Sequence, residues 1–205
     1  MSIEALGFYL GLGLFHGLNP AMGWLFAVAL ALQHNSFSWI PRAVGALLVG
    51  HFLAVLFTCG IFVLLGKALS PFWVKGLSGI ALFGFGFYWL FRARHPNWVG
   101  MNVGIMDLVY WSFLMASAHG AGLMVFAGSS FCGKPFFPWS MQGGSFKLFL
   151  YPSVVHSLGY FLAIFLIATV VFRADLLQFF YKKWINFDIL WSISLFLAAM
   201  GIALG

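Results

Sequence analysis

The sequence predicts an all-α polytopic membrane protein, with six transmembrane helices arranged as two inverted three-helix repeats. Three observations predict it. First, the 205 residues are 63% hydrophobic and 7% charged, with a mean hydropathy of +1.01. So few charges cannot cover a soluble domain. Second, the apolar residues fall in continuous runs of about 20 residues, the length a helix needs to cross a bilayer, and not in the short alternating strands of a barrel. Third, the two halves of the chain echo one another in the placement of their histidines.

The first run covers residues 5–32 and is followed by a polar stretch, 33–41. The second covers 42–65, and a short turn with Lys67, Pro71 and Lys75 leads to the third, 76–91. Arg92, Arg94, His95, Pro96 and Asn97 form a loop before the fourth run, 106–128. A longer connection holding Cys132, Trp139 and two glycines, Gly143 and Gly144, precedes the fifth, 148–172. An amphipathic piece, 173–183, leads to the sixth, 185–204. The halves are residues 1–97 and 98–205 of a single transmembrane domain. The N-terminus lacks a basic n-region and a cleavage site, so the first run is expected to be retained.

The formal charge is +6. The basic residues lie mostly between runs, where they fix topology and meet lipid headgroups; no basic tail suggests nucleic acid as a partner. Arg42, Arg92, Arg94, Arg173, Lys182 and Lys183 fall on one side. Lys67, Lys75, Lys134 and Lys147 fall on the other. The positive-inside rule makes the first side cytoplasmic and puts both termini on the non-cytoplasmic side of an inner or plasma membrane. Trp and Tyr near the run ends read as an interfacial belt.

The repeat is carried by four histidines. Phe15-His16-Gly17 in the first run matches Ala118-His119-Gly120 in the fourth. Gly50-His51-Phe52-Leu53 in the second matches Val155-His156-Ser157-Leu158 in the fifth. The histidines of a half are 35 residues apart in one case and 37 in the other. Three spans per half make the second half enter from the opposite face. At about 1.5 Å per residue, all four lie within roughly 6 Å of the centres of their runs. Polar groups at that depth are costly and mark functional sites, and neutral imidazole is a common transition-metal ligand.

Asn19, Met22 and Met115 lie about one or two turns from a histidine and are candidate additional ligands; a thioether beside imidazole suits copper(I). Pro20 removes a backbone N–H and should kink the first helix at His16, leaving a carbonyl free and giving a hinge. Asp107, at the start of the fourth run, reads as a helix N-terminal carboxylate or a proton relay. Cys59 and Cys132 form no CxxC pair, and their pairing stays open. Glycine stripes in the first run (Gly7, Gly11, Gly13, Gly17) and the third (Gly79, Gly84, Gly86) read as helix packing, within the chain or in a homodimer or larger membrane complex.

The run Gly13-Leu14-Phe15-His16-Gly17-Leu18-Asn19-Pro20-Ala21-Met22-Gly23-Trp24 resembles the first-span motif of the LysE/CcdA/nickel–cobalt exporter (NicO, UreH-like, HupE) superfamily. The match rests on His16, Pro20 and Gly23, with a weaker echo at His119 and Gly122. The resemblance implies a six-span inverted repeat and a role with transition metals. Three departures qualify it, one being that the His-rich loop of nickel–cobalt exporters is missing. Ala21 stands where the nickel permease His-x4-Asp-His pattern has its aspartate. The cysteine that CcdA-type members carry in the first span of each half is missing, which disfavours thiol–disulfide electron transfer.

The expected function is membrane transport of a transition-metal cation of the nickel, cobalt or copper type, held near the midplane by His16, His51, His119 and His156. Proton exchange on the imidazoles could couple it to a proton gradient. One alternative is a haem b-binding subunit of an electron-transfer complex, with paired histidines as axial ligands. Another is a ligand-free structural or assembly subunit. No Ser/His/Asp order, paired carboxylates or phosphate loop points to an enzyme.

Overall fold

A computed structural model describes residues 3–68, 71–91, 104–125, 147–174, 189, 192–193, 195–197 and 199–200. Among them the chain is all-helical, with no strand. Helix α1 spans Ile3–Leu18, and a 3-10 turn, Pro20–Met22, connects it to α2, Trp24–Gln33. Then come α3, Trp39–Ala68; α4, Pro71–Phe91; α5, Ile105–Ala118; and α6, Lys147–Arg173. Residues 121–125 are helical again after a break at His119 and Gly120, and the described residues between 189 and 200 are helical too. The long connection with Cys132, and the loop at His95, lie outside the described residues.

Among the described residues two stretches, Trp39–Ile61 and Leu150–Arg173, are continuous helices long and apolar enough to cross a bilayer. The first and fourth runs are apolar enough but are not single helices, because each is interrupted just after its histidine. In the first run the helix does not kink at His16. It runs on to Leu18 and stops. Asn19 turns extended (φ −65°, ψ 123°) and its Oδ1 accepts the Ala21 N–H at 3.0 Å. Pro20 opens the 3-10 turn, where its missing N–H is not needed. Gly23 closes it at φ +109°, a left-handed conformation that favours glycine. The expected free carbonyl is not found: His16 O accepts the Asn19 N–H at 3.4 Å, and Leu18 O accepts the Trp24 indole N–H at 3.3 Å. The second break has no proline and uses Gly120, at φ +69°.

Helix directions follow from the contacts. A Cβ on Gly159 of α6 would meet Leu10 of α1; one on Gly13 would meet His156 and Tyr160, and one on Gly17 would meet Tyr160 and Ala163. Thus α1 and α6 are roughly parallel. Likewise Gly50 of α3 faces Val109 and Ser112 of α5, while Thr58, further along α3, faces Gly122. So α3 and α5 are parallel. The remaining pair is antiparallel: Cys59 meets Ser153 (Sγ···Oγ 3.6 Å), while Phe37, just before α3, meets Phe172 (ring centres 6.1 Å). It follows that α5 runs opposite to α1. Small residues let the parallel pairs approach closely. Gly13 and Gly17 lie against the Gly159–Ala163 face. Gly50 lies against Ser112, with Ala54 and Ala116 buried one turn on.

The outer faces of the long helices are apolar. Val49, Leu53, Phe57 and Ile61 make an exposed stripe on α3. Val154, Leu158, Leu162, Leu166 and Val170 make one on α6. The buried set is mainly apolar but also contains His16, His51, His119, His156, Ser112, Ser153 and Ser157. At one end of the molecule the Arg173 guanidinium lies 4.8 Å from the Phe37 ring centre and that of Arg42 lies 5.4 Å from Trp39.

Candidate functional site

The close packing of α1, α3 and α6 brings three imidazoles together. His16 stands in the last turn of α1, His51 in the middle of α3, and His156 on the face of α6 that receives Gly13. Ring centres are 4.9 Å apart for His16 and His51, 5.5 Å for His16 and His156, and 5.4 Å for His51 and His156. All three are fully buried. Among the described residues, neither ring nitrogen of His51 or His156 has a hydrogen-bond partner. Buried polar atoms are nearly always satisfied, so this exception calls for a ligand, an ion or water.

Tyr160, four residues after His156, completes the cluster. Its ring stacks on His51 at 3.9 Å and 12°, and lies 5.9 Å from His16. Its hydroxyl donates to the Met22 carbonyl at 2.7 Å, tying α6 to the broken segment. Ser112 of α5 donates to the Leu47 carbonyl at 2.6 Å, and its hydroxyl lies near the Tyr160 phenol. Sequence reasoning missed Tyr160. The available signal was a phenol one turn from a histidine inside an apolar helix, the same spacing that singled out Met115.

The other sequence candidates fall around the cluster. His119 is fully buried and close enough to His16 to interact electrostatically, but it caps α5 and its Nδ1–H donates to the Met115 carbonyl at 2.8 Å. Met22 and Met115 are buried, and each offers a backbone carbonyl as an acceptor, to Tyr160 and His119. Asn19 is buried, and its Nδ2 has no partner among the described residues. Pro20 starts the 3-10 turn. Asp107 is exposed in the first turn of α5, where its Oδ2 accepts the Gly104 N–H at 2.8 Å. It is twelve residues from His119, about 18 Å along a helix. That is the helix-start role, remote from His119. Cys59 is a free, buried thiol beside Ser153.

Chemically, the triangle has the spacing of a small-ion site. Imidazoles bonded to one tetrahedral ion at about 2.0–2.1 Å hold their ring centres about 5 Å apart. The ring orientations are those of packing: interplanar angles of 62°, 70° and 27°. Among the described residues, no group of three or more His, Cys, Asp or Glu is arranged to hold a metal ion as it stands. Binding one requires turning the rings about their side-chain torsions with the helices fixed. Haem fits less well. Two axial imidazoles hold their centres about 6 Å apart with an open plane between them, whereas here the rings pack against one another and Tyr160 covers His51. The helix ends favour a cation as well. His16 and His119 both stand at C-termini, where carbonyls point outward and the dipole is negative.

Tyr160→Phe keeps the ring stack but removes the bond to Met22. The expected loss is about 1 kcal/mol, read as a drop of about 2–4 °C in the unfolding midpoint in detergent. An unchanged midpoint would mean this bond does not hold the 3-10 turn.

No family model matches the chain, and neither a curated protein nor a solved structure matches it.

Proposed function

We propose that the chain is a six-span inner-membrane transporter of a transition-metal cation. The observation that carries this is the buried triangle of His16, His51 and His156, at a mutual spacing that suits one small ion. The membrane reading is supported by the two long apolar helices and by their apolar outer faces, with four imidazoles among the buried residues. An inverted repeat is supported by three features. The first helix of each half is broken next to its histidine. Those two helices run in opposite directions. Each packs in parallel on the histidine-bearing second helix of the other half. Discontinuous helices with a site near the midplane are a transporter plan. The resemblance of residues 13–24 to the exporter superfamily points the same way. In this mechanism the imidazoles replace the ion's water shell, and the Asn19–Gly23 segment is the hinge by which α1 and α2 move relative to the site.

Purified full-length chain in proteoliposomes tests this. Loaded with a metal-sensitive dye, vesicles should fill from outside copper, nickel or cobalt at least tenfold faster than empty vesicles. His51→Ala should bring the rate to the empty-vesicle value. Impermeant thiol labelling of the inserted chain should reach Arg42→Cys and Arg173→Cys from one side and Tyr151→Cys from the other. Equal filling by wild type and His51→Ala would end the transport reading.

A further inference from the structure

We infer that Arg42 and Arg173, at the turn between α2 and α3, bind the headgroup phosphate of an anionic phospholipid; the inference rests on the membrane reading above and not on the histidine cluster. The two guanidiniums lie over aromatic rings of one short segment. That of Arg173 is 4.8 Å from the Phe37 ring centre, and that of Arg42 is 5.4 Å from the centre of Trp39. Each ring has a second contact that holds it in place: Phe172 packs on Phe37 at 6.1 Å, and His34 stacks on Trp39 at 3.9 Å and 10°. The turn itself is tied. Asn35 is left-handed (φ 46°), the Ser36 N–H donates to the Ala31 carbonyl at 2.9 Å, and the Ser36 and Ser38 hydroxyls hydrogen-bond at 2.9 Å. A cation over a ring face is positioned without using its N–H donors. Those of a guanidinium form a fork that matches two phosphate oxygens. Both arginines are exposed. Among the described residues no carboxylate pairs with either of them: Asp107 accepts the Gly104 N–H at 2.8 Å, and Glu4 opens α1, which runs parallel to α6 and so starts far from Arg173.

The surface next to the arginines makes the anion a lipid. On α3, Arg42 shares a face with Val49 and Leu53; on α6, Arg173 shares one with Val170, Leu166 and Leu162. All five apolar side chains are exposed. Because α3 and α6 are antiparallel, with Phe37 against Phe172, both stripes lead away from the same end of the molecule. Arg42 to Leu53 and Arg173 to Leu162 are each eleven residues, about 16 Å along a helix. That is about half of the roughly 30 Å hydrocarbon core, the depth of one leaflet. A phosphate held at the arginines therefore leaves its acyl chains lying on apolar side chains as far as the middle of the bilayer. A soluble phosphate would use the arginines and leave the stripes unused. Phe37 and Trp39 stand at the level where aromatic rings meet headgroups. A zwitterionic headgroup brings an amine that two neighbouring cations repel, so the site selects a lipid of net negative charge.

The test uses the full, metal-free chain in mild detergent with equal amounts of phosphatidylglycerol and phosphatidylcholine, and native mass spectrometry counts the lipid retained. Wild type is expected to keep phosphatidylglycerol at least fivefold over phosphatidylcholine. Arg42→Gln/Arg173→Gln should bring that ratio to within twofold of one. Lys182→Gln/Lys183→Gln removes the same charge from the same sequence-assigned side and should change the ratio less than twofold. Inorganic phosphate at a hundredfold excess should leave the lipid in place. No preference in wild type, or an undiminished one in a monodisperse Arg42→Gln/Arg173→Gln variant, would overturn the inference, as would an equal loss in the two double variants. Displacement by inorganic phosphate would make the site one for a free anion. The metal plays no part in these readouts, and the thiol labelling above tests membrane insertion separately, so a failure here leaves both of those readings standing.

Discussion

Alanine at His51 or His156 is expected to abolish metal retention, and alanine at His119 to leave most of it. The two rings belong to the triangle, and their nitrogens make no other hydrogen bond among the described residues. Losing one of three donors should weaken binding by a hundredfold or more, about 2.7 kcal/mol. His119 caps α5 and gives its Nδ1–H to the Met115 carbonyl. It interacts electrostatically with His16, and a loss of less than about tenfold, 1.4 kcal/mol, is expected on its removal. Metal per chain after gel filtration, with chelator competition, separates the cases. An equal loss at all four positions would favour the four-histidine site read from the sequence. No loss at any of them would leave the cluster as packing. Stability should move the other way. A buried polar group without a partner costs about 1–3 kcal/mol, so His156→Leu should raise the unfolding midpoint of the metal-free protein while destroying the site. Sites that trade stability for function behave in this way.

Much of this was legible because bilayer-length apolar runs and buried polar residues are one-dimensional signals. The second, third and fifth runs correspond to α3, α4 and α6 within a few residues. The four histidines inside apolar runs stood out because imidazole is expensive in hydrocarbon. What the sequence concealed depends on partners distant in the chain. The break in the first run was announced by Asn19-Pro20, yet its position and carbonyl pairing depend on Asn19 capping the turn and on Tyr160 reaching Met22 from 138 residues away. Equivalence of the four histidines was suggested by spacing, but a side-chain bond to the carbonyl four residues back set His119 apart. The glycines show the same limit. Gly7 and Gly11 were grouped with Gly13 and Gly17 in one stripe, and a Cβ on either of the first two would meet nothing within 4 Å. Only contact with a second helix distinguishes a glycine that packs from one that does not.

That distinction gives the second large effect. Gly13→Leu or Gly159→Leu is expected to prevent folding, and Gly11→Leu to be tolerated. At Gly13 the first added carbon would collide with the His156 carbonyl, and at Gly159 with the Leu10 carbonyl. These are backbone atoms of a neighbouring helix and cannot turn aside as a side chain can. Overpacking among side chains already costs about 1–3 kcal/mol; displacing two helix backbones over several turns costs more, against a total stability of about 5–15 kcal/mol. Gly11 has open space around it, and a side chain there should add up to about 1 kcal/mol of helix propensity. Membrane yield and a monodisperse gel-filtration peak read the outcome. Gly13→Ala is the more discriminating variant. One methyl group forces α1 away from α6 by a fraction of its own size, which widens the 5.5 Å between His16 and His156. A protein that still folds but retains metal at least tenfold less well is expected, because the same contact that packs the helices sets the spacing of the rings. A monodisperse, metal-retaining Gly13→Leu would mean that α1 does not lie on α6 in this register, and the triangle would fall with it.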